Sequence, residues 1–147
     1  MTATVSDSKR ERVGLRILVV DDNVDAADTL ARLLQAWGHE ACAVYSGADA
    51  LGVLATVQPE VIFSDLAMPT MDGMAFAKAI RQISSSVRFL IALTGYADSV
   101  HRTAALLDAG FDDFLTKPTD PQRVKALLAS VESARGGQQP PSRPRCA

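Results

Sequence analysis

Five times along this chain a short apolar run is followed by a stretch with helical spacing. That alternation constrains the fold more than any other feature. The runs lie at residues 17–20, 41–45, 61–63, 89–93 and, more weakly, 111–115. After them come Leu30, Leu34 and Trp37, then Leu51, Leu54 and Ala55, then Phe76, Ala77, Ile80 and Ile83. The last two sets are Val100, Ala104 and Leu107, and Val124, Leu127, Leu128 and Val131. Gly38 and Gly110 stand where helix C-caps belong, and Pro59 and Pro121 where helices stop or start. Strands apolar throughout are buried on both faces. The pattern therefore predicts an α/β domain with a parallel sheet and helices on both sides. The folded unit is expected over residues 15–133. Residues 1–14 and the Pro-, Gly- and Gln-containing residues 134–147 are low in apolar content and are expected to be disordered.

Charge narrows the function classes. With a net of +1 in residues 1–13 and +3 in residues 134–147, the formal −2 of the whole chain leaves −6 for residues 14–133. An acidic domain is a poor match for nucleic-acid phosphates, and the basic tail is too short and sparse to reverse that. No nucleic-acid partner is expected. Cys42 lies in an apolar stretch and Cys146 next to last in a polar tail, so no bridge between them is expected. Two free thiols fit a reducing cytosol. Nothing at the N-terminus resembles a signal peptide and no run approaches a membrane span, so the expectation is a cytoplasmic chain with no membrane partner.

In sheets of this kind, ligands bind beyond the carboxyl ends of the strands. The residues just after the apolar runs are therefore the candidates for chemistry. The first run ends in Asp21 and Asp22, the third in Ser64 and Asp65, the fourth in Thr94 and Gly95, and the fifth in Lys117 and Pro118. The second ends in Ser46 and Gly47, which carry no obvious chemistry. Three carboxylates on one rim repel one another; a divalent cation together with Lys117 balances them. Mg²⁺ suits such an all-oxygen set, and the absence of His and Cys from these positions argues against zinc. Each residue also has an ordinary explanation. Asp22 or Asn23 can cap a helix, Asp72–Gly73 can form the turn that starts the next one, Thr94 can end a strand, and Lys117 can be solvated. Five such residues on one rim make coincidence a weak account.

Four stretches, ILVVDDN at 17–23, SDLAMPTMDG at 64–73, IALTGYAD at 91–98 and DDFLTKP at 112–118, resemble the receiver domain of bacterial two-component response regulators. They occur in that family's order and spacing. The resemblance implies a flavodoxin-like (βα)5 fold, five parallel strands in order 2-1-3-4-5 with helices on both faces; this order is taken from the family and not from the spacing. It implies that Asp65 accepts a phosphoryl group from a phosphohistidine on a sensor histidine kinase or a histidine phosphotransfer protein. Mg²⁺ would be held by Asp21, Asp22, Asp65 and the backbone carbonyl of Ala67. Thr94 and Lys117 would contact the phosphoryl oxygens, with Thr94 and Phe114 as the switch pair. A downstream target would bind the fourth helix, fifth strand and fifth helix, here residues 97–108, 112–116 and 120–131. Phe114 stands where the family more often carries Tyr, so a ring hydroxyl is missing. Tyr96 would overhang the site, and a cis Lys117–Pro118 bond is expected.

The leading expectation is therefore a phosphoacceptor signalling protein without an output domain. It would be no enzyme beyond its own phosphorylation and dephosphorylation. One alternative is a Mg²⁺-dependent phosphohydrolase working through an aspartyl-phosphate. Ala67 counts against it, because it stands where that chemistry wants a general acid. The other is a pseudo-receiver that binds partners without phosphorylation, which the complete set of five site residues argues against. His39 and His101 are expected at the surface.

Overall fold

The apolar runs become the five strands of one sheet. A computed structural model of the chain describes residues 14–66, 71–84, 86–95 and 100–135. Strands β1 (Arg16–Val20), β2 (Glu40–Val44), β3 (Val61–Asp65), β4 (Phe89–Thr94) and β5 (Asp113–Thr116) alternate with five helices. These are α1 (Val24–Ala36), α2 (Gly47–Val57), α3 (Gly73–Ile83), α4 (Val100–Ala109) and α5 (Pro121–Arg135). The order is β2-β1-β3-β4-β5 and every neighbouring pair is parallel. This is the flavodoxin-like (βα)5 arrangement expected.

Successive side chains of a strand point to opposite faces, and β1 shows the result. Ile17 and Val19 join Leu34, Phe63, Val124 and Leu128 in a core beneath α1 and α5. Leu18 and Val20 join Ile62, Phe76, Leu90 and Leu106 beneath α2, α3 and α4. β1 and β3 are buried along their full length, as central strands covered on both faces must be.

The helix ends follow from local chemistry. Asn23, Ser46 and Asp72 accept the backbone N–H groups of Ala26, Asp49 and Ala75 at 3.0, 3.0 and 2.8 Å, so the capping role falls to Asn23 and not to Asp22. Gly38 and Gly110 have φ of 96° and 116° and close their helices as paired reverse hydrogen bonds require. His39 N–H reaches Leu34 O and Gly38 N–H reaches Gln35 O, while Phe111 N–H reaches Leu106 O and Gly110 N–H reaches Leu107 O. Phe111 is thus the buried end of a helix stop. β5 begins only at Asp113, two residues later than the apolar run suggests.

Three apolar-face assignments need correcting. Leu107 is 56% exposed and Ile83 62%, while Leu106 and Ala109 are buried. Ala55 is exposed and Ala50 takes its place. For Leu107 and Ala55 neighbouring apolar residues offered two helical phases and packing on the sheet selects one, whereas Ile83 is the last residue of α3 and is exposed at its end.

Three further features lie away from the carboxyl ends. Arg81 binds Gly110 O through Nε and Val87 O through Nη1, both at 3.0 Å, and Asp112 Oδ2 through Nη2 at 2.6 Å. Asp112 Oδ2 also accepts Leu90 N–H at 2.8 Å, so one guanidinium ties the end of α3 to the starts of β4 and β5. On the outer strand β2, Gln35 Nε2 donates to Ala41 O at 2.7 Å. Cys42, half-buried on the same strand, is disulfide-bonded and not the free thiol expected. The chain's other cysteine, Cys146, lies outside the described residues. No helix among the described residues is long and apolar enough to cross a membrane.

Candidate functional site

A parallel sheet brings all its carboxyl ends to one edge, and the anticipated polar residues meet there. Asp21 follows β1 directly, its N–H still extending the ladder to Val44 O at 3.2 Å, and its side chain is buried, with 1% exposure overall. Asp65 is the last residue of the adjacent β3 and is also buried. Asp22, one residue beyond Asp21, is exposed. One carboxylate oxygen from each of the three lies within 4.8 Å of the others.

Lys117 enters this group from the end of β5. Its Nζ is 2.8 Å from Asp21 Oδ2 and 3.3 Å from Asp65 Oδ1. The other Asp21 oxygen accepts the N–H of Asn23 at 3.0 Å. Burial works against the ammonium, but the hydrogen bond and charge of Asp21, then those of Asp65, outweigh it and raise the Lys117 pKa above the ordinary 10.5. The Lys117 N–H donates to Thr94 O at 2.7 Å, and the Lys117–Pro118 bond is cis. Thr94 ends β4 with 2% exposure, next to Leu93, which is the register partner of Asp65.

Among the described residues, three carboxylates against one ammonium leave two negative charges, and the metal-binding atoms of this cluster are all oxygen. That donor set fits a hard divalent cation such as Mg²⁺ and does not fit a metal that wants imidazole or thiolate. Ala67, whose carbonyl is the fourth expected ligand, and Tyr96 lie outside the described residues. Phe114 is half-buried and packs against the core beneath α2, α3 and α4.

One residue of the rim reads from the sequence only as a turn. Gly73 packs so closely that a methyl group on it would lie 2.7 Å from Leu66 Cα and 2.9 Å from the Asp65 carbonyl oxygen. Its N–H donates to Leu66 O at 2.9 Å. The Asp–Gly pair signals a helix start, but nothing in it announces contact with the backbone of Asp65.

The chain's sequence and fold match a known family. The family model of the response regulator receiver domain matches residues 17–129. The chain belongs to that family. It is a receiver domain of the two-component type, and the family is a signalling one. This receiver is 41% identical over 113 residues to an uncharacterized 14.6 kDa protein of Leptolyngbya boryana, covering 76% of this chain and 86% of that one. It is 34% identical over 130 residues to the response regulator MprA of Mycobacterium sp. strain KMS, covering 86% of this chain. MprA is longer, and the receiver spans 56% of it. Among solved structures, the chemotaxis response regulator CheY4 of Vibrio cholerae matches with a TM-score of 0.73 at 28% identity, over 81% of this chain and 99% of that one.

Proposed function

We propose that this receiver is switched by phosphorylation at Asp65. The observation that carries the reading is the placement of Asp65. It is buried at the end of β3, 3.3 Å from the Lys117 ammonium, with Asp21 and Asp22 in the same cluster. In this reading an Asp65 carboxylate oxygen attacks the phosphorus of a phosphohistidine on a sensor histidine kinase or a histidine phosphotransfer protein. The P–O bond forms as the P–N bond breaks, and the imidazole leaves with its electron pair.

Asp21, Asp22, Asp65 and the carbonyl of Ala67 would hold Mg²⁺, which neutralises charge on the phosphoryl oxygens when bound. Lys117 would neutralise further charge on the same group, and Thr94 would offer it a hydroxyl. Phosphorylation replaces one carboxylate charge with a phosphoryl dianion. Lys117 then exchanges its present contacts for the new anion, and its backbone link to Thr94 O couples β5 to β4. Phe114, half-buried on β5, would relay that change to the surface formed by α4, β5 and α5, where a downstream protein would dock. We place this exchange in the cytoplasm on the family's signalling role alone, because the disulfide at Cys42 removes the support that two free thiols would have given.

Acetyl phosphate or phosphoramidate with Mg²⁺ tests the reading. Intact mass is expected to rise by one phosphoryl group in the wild type and not in Asp65→Asn. A wild type that stays unlabelled overturns it.

A further inference from the structure

Gly47 carries no functional group and opens α2, yet a chain of contacts leads from it to the backbone of Asp65. It is buried, and its φ lies outside the left-handed region, so backbone freedom is not why glycine stands there. The missing side chain matters instead. A methyl group at Gly47 would lie 3.0 Å from the Met71 sulfur, 3.4 Å from Met71 Cβ and 3.5 Å from Met71 Cγ. The Met71 stem therefore lies flat along the start of α2, half-buried against the core beneath α2, α3 and α4.

Two residues further on, Gly73 rests on the Leu66 Cα and the Asp65 carbonyl oxygen and is hydrogen-bonded to Leu66 O. Asp72, between them, is fixed as the cap of α3. Residues 71–73 thus form a short bridge from the start of α2 to the backbone that carries the reactive carboxylate. The two ends differ in stiffness. Gly73 abuts backbone atoms that cannot turn aside, whereas the Met71 side chain must give by a few tenths of an ångström when Gly47 gains a methyl group.

We infer that Gly47 is a positioning residue for the reaction at Asp65 and acts through Met71. The inference rests on Asp65 being the phosphoacceptor. A displacement of about 1 Å in a reacting geometry costs on the order of a hundredfold in rate, so the few tenths of an ångström at Met71, the most that can be passed on to Asp65, set a ceiling of roughly tenfold. A purely local role for Gly47 predicts an unchanged rate, because alanine is the better helix former and would leave the reaction alone.

The test compares wild type, Gly47→Ala, Met71→Ala and the double variant. Two quantities are read: the initial rate of labelling by acetyl phosphate at saturating Mg²⁺, and the backbone amide chemical shifts of Asp65, Leu66 and Gly73. Gly47→Ala is expected to slow labelling by up to roughly tenfold and to move those three amides. Removing the Met71 side chain should cancel both effects, so that the double variant matches Met71→Ala. Wild-type rate with unmoved amides in Gly47→Ala overturns the inference, as does a double variant slower than Met71→Ala. If the wild type takes no phosphoryl group, the phosphoacceptor reading falls by itself. The amide shifts then decide the coupling: moved and cancelled they support it, unmoved they overturn it. Should Gly47→Ala not fold, Met71→Ala must itself move the Asp65 and Leu66 amides, and unmoved amides overturn the inference.

Discussion

Lys117 Nζ stands closer to Asp21, at 2.8 Å, than to Asp65, at 3.3 Å. The ammonium is therefore anchored mainly on a residue assigned to the metal and only secondarily on the residue assigned to the phosphoryl group. Its side chain is 29% exposed, so it can swing between partners without unpacking the core.

Lys117→Ala removes the ammonium that bridges Asp21 and Asp65. In a chelating buffer the variant should be less stable than wild type by about 1–2 kcal/mol, the scale of a partly solvated charged hydrogen bond. Added Mg²⁺ should restore most of the deficit, because it binds only the folded site. Urea titrations with and without Mg²⁺ read the difference. Loss of Mg²⁺ stabilisation in the variant would mean that Lys117 helps hold the metal site itself.

Gly73→Ala should be worse tolerated than any other glycine change near the rim. Its methyl group meets Leu66 Cα at 2.7 Å and the Asp65 carbonyl oxygen at 2.9 Å. Relief requires a backbone shift, so a loss of about 2–3 kcal/mol is expected in urea unfolding. Labelling of Asp65 should fall in the same variant under conditions where it remains folded.

Arg81→Met keeps the aliphatic stem and removes three hydrogen bonds, to Gly110 O, Val87 O and Asp112. A cost of about 2–3 kcal/mol follows from their partly buried, charge-assisted character. Hydrogen exchange should quicken at Leu90, whose N–H shares the Asp112 oxygen. Labelling of Asp65 should keep its wild-type rate, because this network lies at the opposite end of the strands.

The phenol of Tyr45 donates to Asp28 Oδ1 at 2.6 Å. That hydrogen bond, aided by slight desolvation and the Asp28 charge, raises its pKa above the ordinary 10.0. The protonated phenol is the form favoured by folding. The contribution is therefore complete below pH 10.0 and is lost as pH climbs through the folded value. Ultraviolet titration in a Tyr96→Phe background should show tyrosinate forming later than in a model peptide. Asp28→Asn should bring the midpoint back down.

The site was legible wherever topology alone decides position. Asp21, Asp22, Asp65, Thr94 and Lys117 each follow an apolar run, and a parallel sheet gathers such residues at one edge. What distance decides was not legible. Nothing in the chain says that Lys117 prefers Asp21, that Arg81 finds Asp112 across 31 positions, or that Gly47 faces Met71. Gly47 in particular reads as empty of chemistry, because a residue that matters for what it lacks leaves no chemical signature. Helical phase fails for a related reason. Leu106 and Leu107 are equally apolar, and only the sheet beneath α4 chooses between them.

The amide of Gln35 on the Ala41 carbonyl has a bearing on how this molecule meets others. β2 is the terminal strand on its side of the sheet, and a bare terminal strand is a template on which a foreign strand can grow. Here one of its outward acceptors is already taken by the chain's own helix α1. An incoming strand would begin by displacing that amide, so fibril-like growth from this border starts with a lost contact and crowding alone is a weak inducement to it.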